Sequence, residues 1–544
     1  MLIIYRSGAG SGKTYKLGII YLSLVLQKPE AFRHILGITF TNKAAAELKS
    51  RILKFLSVLA LQQPYEEAHN ILENLAKEGI LLTEQQATQK AREALQLILH
   101  NYGEFAISTI DSFMHKVVST FTFDLHIAHD FDVILDTAPL AEEIADRLLA
   151  KAGLNDHEYI TVLLEITLEN LIDNEKGYNI RSLLQNTAET LFREDTRHHL
   201  DDLTSLSPQQ LLEAERKIRS QLSERLKKIR NLAQECLQLI HNQGLSPEDF
   251  AFGKSGVTGW LQRTAGLKNA GNVILPLPDR VSKALQEDAW FSKSNHQRFF
   301  PLFQPISDKV RSNIAQIIDT LPALVSLNRI ASALPGMALT RALATELQEL
   351  QREENFLHIS DFNELIRREI LKEPVPYIYY RLGNRFQHFL LDEFQDTSVS
   401  QWHNLVPLLA NSLSQNTQPP AAVIVGDGKQ SIYRFRNGEL MIFEQLPAIY
   451  SNPGHPGFKE AENLFKDKYI TENLNTNRRS QKYIVEFNNA FFGHIAGELN
   501  KNQEYPLVNK VYADLKQNLH HTEDKGYVQW TLVPQGEGEE RLQE

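Results

Sequence analysis

The spacing of apolar residues changes several times along the chain. Near the start they come in short unbroken runs: Leu2–Arg6 (LIIYR), His34–Phe40 (HILGITF) and Phe105–Ile110 (FAISTI). Runs this short with little polar alternation suit strands covered on both faces, as in a parallel sheet. Between them, over Lys13–Gln27, Lys43–Leu59 and Asp111–Thr120, apolar positions recur every three or four residues, the period of a helix with one buried face. Residues 62–100, rich in Leu, Ala, Gln and Glu at the same period, predict an inserted helical pair.

From about Ala138 to Leu357 the strand-like runs give way to long, charged, Leu-spaced helices, broken around Gly244–Gly271 and Pro276–Pro278. This reads as an all-helical domain inserted into an α/β one. Alternation returns with Phe386–Leu391, Ala421–Val425 and Tyr469–Asn473, separated by the polar stretches Ser412–Pro420 and Ser451–Lys468, both read as loops. A helix follows from about Ser480 to Leu499, then a strand at Gly526–Pro534 (GYVQWTLVP). Strands alternating with helices imply an α/β fold on a parallel sheet. The expected domains are 1–137, 138–357, 358–465 and 466–544.

Composition narrows this only slightly. A chain of 544 residues exceeds one core and predicts two to four domains. No run of about 18 apolar residues is present and the N-terminus enters a strand directly, so no membrane span or signal peptide is expected and the chain reads as cytosolic. One cysteine, Cys236, excludes internal disulfides and argues against a cysteine-ligated metal. His198-His199 and His520-His521 sit in polar surroundings and are expected at the surface. The net charge of −10 does not announce nucleic acid, though a local basic, aromatic groove would serve a single strand. Glu215–Arg230 (ERKIRSQLSERLKKIR) is the most basic piece of the helical stretch; it reads as a solvated face or a phosphate contact.

The candidate chemistry begins at Ser7–Thr14, SGAGSGKT, placed between a strand and a helix. In that context Gly8, Ala9, Gly10, Ser11 and Gly12 let the backbone curl so that several N–H groups point at one anion at a helix N-terminus. Lys13 would reach the β/γ-phosphates and the Thr14 hydroxyl would bind Mg²⁺. Such a site needs a second carboxylate at the end of a neighbouring strand and a group to orient water. LLDEFQDTS (Leu390–Ser398) offers Asp392 for the metal and Glu393 for the water, followed by Gln395 and Asp396. VIVGDGKQSIYRFR (Val423–Arg436) then presents Gln430 toward the γ-phosphate. Its Tyr433, Arg434, Phe435 and Arg436 mix aromatic and cationic faces, which suits stacking of unpaired bases; core packing of the two rings is the competing reading.

GAGSGKT, ITFTNKAAAELKSRI (Ile38–Ile52), STIDSF (Ser108–Phe113), LDEFQD, VGDGKQSIYRFR and LNTNRRS (Leu474–Ser480) occur in the order found in superfamily 1 DNA helicases. The chain resembles the UvrD/Rep/RecB group, most of all its RecB/AddA branch. The resemblance implies an ATP- and Mg²⁺-dependent 3′–5′ translocase on single-stranded or duplex-end DNA, built on two RecA-like domains with helical inserts and working in double-strand break repair. It assigns phosphate and Mg²⁺ to Lys13, Thr14 and Asp392, water activation to Glu393 and γ-phosphate sensing to Gln430. Arg479 would be a positive contact from the second RecA-like domain, and Arg478 would stack on the purine. Phe40, Thr41 and Asn42 match a DNA-gripping strand end, and Phe435 a base-stacking position. Asp361-Phe362 matches a short motif upstream of the carboxylates. A second helicase–nuclease subunit is an implied partner.

Four departures modify this. No glutamine precedes Ser7 to read adenine, Arg478 replaces Tyr or Trp, and Asp111 replaces His, where His115 or Lys116 would have to offset its charge. The later motifs, one carrying a second arginine, do not follow residue 480. ALTRAL (Ala338–Leu343) lies too early, so Arg341 is read as a surface or packing residue, and Gly253-Lys254-Ser255 lacks the strand and glycines of a P-loop. The expectation is an N-terminal portion of a longer helicase with little activity alone. A scaffold protein keeping an unused ATPase fold and a different P-loop enzyme are the alternatives.

Overall fold

The computed structural model describes residues 1–531 apart from 126, 129, 174–178, 194–195, 197–205, 274, 276, 373–380, 383–384, 416–419 and 502–505. Its described residues fall into two compact units, 1–135 with 355–531 and 136–354.

The first unit opens with β1 (Leu2–Ser7), α1 (Lys13–Gln27), β2 (Ile35–Thr39) and α2 (Asn42–Leu61). The helical pair α3 (Tyr65–Lys77) and α4 (Glu84–His100) follows, then β3 (Ile107–Thr109), α5 (Ile110–Thr120) and β4 (Asp132–Ile134). Successive strand residues point to opposite faces. Leu2 and Ile4 therefore enter a core with Phe113, Phe389 and Trp402, while Ile3 and Tyr5 enter another with Leu17, Val25 and Phe55. Each fully buried Leu, Ile or Val contributes roughly 1.5–3 kcal/mol, which explains why unbroken apolar runs sit at the centre of this sheet. Thr41 and Thr109 cap α2 and α5, accepting N–H bonds from Ala44 and Ser112.

After the second unit the chain resumes with β5 (Phe356–His358), α13 (Ile359–Lys372), β6 (His388–Leu391), α14 (Val399–Gln415) and β7 (Ala422–Gly426). Next come α15 (Leu440–Gln445), α16 (Pro456–Asp467), β8 (Tyr469–Leu474), β9 (Thr476–Asn477), α17 (Lys482–Asn500), α18 (Pro506–Val511) and β10 (Asn518–Leu519). Six strands form one parallel sheet in the order β3-β2-β6-β7-β1-β8.

Three expectations change. Residues 469–474, placed at the start of a second domain, instead form the sixth strand of the first sheet, with Leu2 beside Tyr469 and Ser7 beside Leu474. Pairing there satisfies the edge of β1 that β7 leaves open. The stretch 451–468 is not all loop: α16 starts with Pro456 at its first position, is capped by His455, and buries Phe458, Ala461 and Phe465 on one face. The strand expected at Gly526–Pro534 is irregular over its described part, 526–531. No strand among the described residues runs beside it, and Trp530 instead packs on Phe487 and Phe491 of α17.

The second unit is helical: α6 (Thr137–Ala150), α7 (Glu158–Asp173), α8 (Ile180–Thr190), α9 (Pro208–Asn242), α10 (Val257–Ala265), α11 (Asp279–Gln286) and α12 (Lys293–Glu354). Ile229, Ala233, Cys236 and Ile240 of α9 share a core with Phe303, Val310, Ile314 and Leu321 of α12. Burial pushes the Cys236 thiol up to about 11, so it behaves as a small hydrophobe. One 18-residue window of α12 is apolar enough, by length and composition, to cross a membrane, although polar residues interrupt it and leave no unbroken apolar run. In the basic stretch of α9, Leu222 and Ile229 are buried while Arg216, Lys217, Arg225, Lys227, Lys228 and Arg230 are exposed. Gly253-Lys254-Ser255 forms a tight turn with no strand before it, and Arg341 lies within α12, donating to Thr345 at 2.9 Å. His198-His199 lies outside the described residues.

Candidate functional site

In open parallel sheets the ends of the strands converge on a crevice where ligands bind. Here the turns after β1, β6 and β7 gather most of the residues singled out above. The turn after β1 runs through Gly10 (φ 71°) and Gly12 (φ 86°), left-handed conformations open to glycine. Helix α1 then begins with no side-chain cap and no acidic residue in its first turn. Its first N–H groups and its dipole therefore face the turn, as an anion site requires. The Ser11 hydroxyl is buried there with no hydrogen-bond partner, and a phosphate oxygen would complete its bonding.

The turn after β6 places two carboxylates against that loop. The Lys13 Nζ donates to Glu393 Oε2 at 2.6 Å. Glu393 adopts φ 51°, an uncommon conformation for a residue with a Cβ. Asp392 is buried, and its Oδ1 accepts the Glu393 N–H at 3.0 Å. Burial pushes the Asp392 carboxyl up to about 6, with the Glu393 carboxylate adding to the rise and Lys13 opposing it. Asp396 is held near 6 by the same two causes, opposed by its bond from Gln395 and by Lys13. A buried carboxylate, a lysine and a hydroxyl residue at the helix start, Thr14, fit a Mg²⁺–nucleotide that supplies its own phosphate and water ligands.

The turn after β7 is tied to the same centre. Gln395 Oε1 accepts the Asp427 N–H at 2.9 Å, and Asp427 takes Gln430 Nε2 at 2.7 Å and Lys429 Nζ at 2.9 Å. Beyond it the rings of Phe40 and Tyr433 lie 4.5 Å apart and those of Tyr433 and Phe435 5.7 Å apart, a row of three aromatics. Phe435 is 77% exposed, so the core-packing reading does not hold for it. Thr41 spends its hydroxyl on the α2 cap, and Asn42 is exposed beside it. The side chain of Arg436 lies outside the described residues.

Two placements differ from the sequence reading. Arg479, expected from a second domain, belongs to the same unit as the P-loop: its N–H and that of Ser480 donate to Asn477 Oδ1, and the Arg478 N–H donates to Gly10 O at 2.9 Å. A Cβ on Gly10 would lie 2.8 Å from both Arg479 Cβ and Asn477 Oδ1. The Asp111 carboxylate accepts from Gln401 Nε2 of α14 at 2.9 Å, a partner the sequence reading did not name. Two further residues join the site without a motif to mark them. Gln517 donates to Ala9 O at 2.9 Å and accepts from Asn477 Nδ2 at 2.8 Å. The Tyr15 hydroxyl accepts from Asn74 of α3, its ring meets Phe55 edge-on, and a Cβ on Gly12 would lie 3.9 Å from both Tyr15 Cβ and Arg478 Cδ. An aromatic residue directly after GKT is the one signal the sequence offers for it.

Residues 2–450 match the family described as UvrD/REP helicase N-terminal domain. The chain is also similar to proteins whose names describe the A-subunit of an ATP-dependent helicase/nuclease. The one from Lactobacillus acidophilus is 24% identical over 91% of this chain and 39% of its own length. Those from Streptococcus pyogenes serotype M12 and Staphylococcus haemolyticus are 26% and 22% identical, over 91% and 94% of this chain. The chain thus spans less than two-fifths of these relatives, 37% and 39% for the latter two.

Proposed function

This chain belongs to the UvrD/REP helicase N-terminal domain family, and from that premise we propose that it is the N-terminal motor portion of an ATP-dependent DNA helicase moving 3′–5′ on single-stranded DNA. The observation that carries the reading is the meeting of Lys13, Glu393 and Asp392 at one crevice, with the Phe40–Tyr433–Phe435 row at the ends of the same sheet. The P-loop N–H groups and Lys13 bind phosphate, Thr14 and Asp392 hold the cation, Glu393 orients water and Gln430 senses the γ-phosphate. A bound Mg²⁺ neutralises charge on the transferring phosphoryl group. Arg479 adds positive charge from the segment after β8, and Arg478 faces the base. Phe40, Tyr433 and Phe435 stack unpaired bases, with Thr41, Asn42 and Arg436 on the backbone. The relatives are named as one component of a multi-subunit enzyme, which supports a partner protein for this one. Double-strand break repair in the cytoplasm is the setting that reading implies.

Because the relatives are far longer, this polypeptide alone should hydrolyse ATP slowly; loss of an arginine finger typically costs about 10³–10⁵ in rate. The test is nucleotide binding and ATPase with and without oligo-dT. Lys13→Ala should abolish Mg²⁺–ATP binding while leaving the fold intact. Binding unaffected by that change would sink the motor reading, and brisk DNA-stimulated turnover by this chain would overturn its status as a portion.

A further inference from the structure

We propose that Glu393 occupies Lys13 as an internal substitute for phosphate before nucleotide arrives, and that Gln395 is the positioning residue that holds it there and transmits its release to the loop bearing Tyr433 and Phe435. The inference rests on the ATP-motor reading above and adds a coupling element to it. The Glu393 oxygen that takes Lys13 at 2.6 Å also takes Gln395 Nε2 at 2.9 Å. Gln395 is 1% exposed, and its amide is bonded at both ends. Its Nε2 also donates to Asp396 Oδ2 at 3.0 Å, and its Oε1 accepts the Asp427 N–H at 2.9 Å. Its backbone carbonyl accepts from the Ser431 hydroxyl at 3.3 Å.

An amide is planar, so its two ends cannot move independently. A phosphate that takes Lys13 removes the cation from Glu393, whose carboxylate then leaves the position that Gln395 Nε2 satisfies. Rotation of the amide to follow it disturbs the bond to Asp427, which anchors Lys429 and Gln430. Three residues beyond Gln430 the chain places Tyr433 between Phe40 and Phe435. Lys13, Glu393, Gln395, Asp427 and Gln430 are thus joined by consecutive hydrogen bonds, and the short chain segment from Gln430 to Tyr433 carries the path on to the aromatic row. A continuous path is a warrant for coupling only if both ligands bias it, and that is measurable.

The experiment titrates a fluorescent, non-hydrolysable ATP analogue with Mg²⁺ into the full chain, with and without oligo-dT. The coupling factor is the ratio of the two affinities. Glu393→Gln keeps the shape and removes the charge competing for Lys13; analogue affinity without DNA should rise about tenfold, the effect of ~1.4 kcal/mol. In the wild type oligo-dT should change analogue affinity about fivefold or more. Gln395→Ala should bind both ligands with that factor within about twofold of one. If Gln395→Ala fails to fold, Gln395→Glu, which keeps an acceptor for Asp427 but offers Glu393 no hydrogen, should give the same loss. A Glu393→Gln variant that binds no more tightly, or a Gln395 variant with the wild-type factor, overturns the proposal. Failure of the wild type to bind the analogue would instead remove the ATP reading itself.

Discussion

Gly10 carries two constraints at one atom. Its φ of 71° disfavours any side chain, and a methyl group would meet Arg479 and Asn477. Gly10→Ala should therefore displace the segment that holds the P-loop and weaken Mg²⁺–ATP binding by at least about tenfold, read by calorimetric titration. Asp392 gives a pH signature. Its folded pKa of about 6 exceeds that of an unfolded aspartate, so the native state holds the proton more tightly. Stability is accordingly greatest below about pH 4 for this group and falls as pH rises to about 6, by about 2–3 kcal/mol. Asp392→Asn should remove that share of the slope in denaturation measured from pH 4 to 7. Mg²⁺-dependent nucleotide binding by the wild type should strengthen over the same rise, because the cation needs the ionised carboxylate.

Among elements, the loop after β7 and the helix after β6 divide the labour. Phe435 is exposed and lies at the end of the aromatic row, so Phe435→Ala should cost about 1–3 kcal/mol of oligo-dT affinity and leave the melting temperature unchanged. Trp402 of α14 is fully buried against Phe394 and Phe465; Trp402→Ala should destabilise by about 3–5 kcal/mol in denaturant unfolding. Both residues stand in or beside stretches that are conspicuous in the sequence, because a strand followed by DExxQD or QSIYRFR joins a strong local pattern to a chemical requirement. Legibility fails where partners are distant. Helix α16 reads as loop because Gly, Pro and Asn around 451–457 mask the helical spacing of Phe458, Ala461 and Phe465. Gln517 and Asn477 meet only after some forty residues have folded back, and no local spacing encodes that encounter. Lys13 and Glu393 are separately identifiable, but their direct bond is not.

At the scale of the molecule, residues 136–354 form a compact unit between β4 and β5. Those strands are parallel, with Asp132 opposite Phe356 and Ile134 opposite His358. Joining 135 to 355 must therefore cross back over about 10 Å of strand, which about six Gly/Ser residues can span. A protein so shortened should stay folded and bind Mg²⁺–ATP within about threefold of the full chain, checked by circular dichroism and titration. The sheet order has a temporal consequence as well. Leu2 lies beside Ala422 and Tyr469, so on the ribosome β1 emerges long before either neighbour exists. At ~5–20 residues per second, the wait is roughly 20–90 s. The turn after β1 is therefore synthesised long before the strands that complete its surroundings. During that interval β1 is an apolar strand with neither sheet neighbour, the kind of transiently exposed surface that chaperones shield.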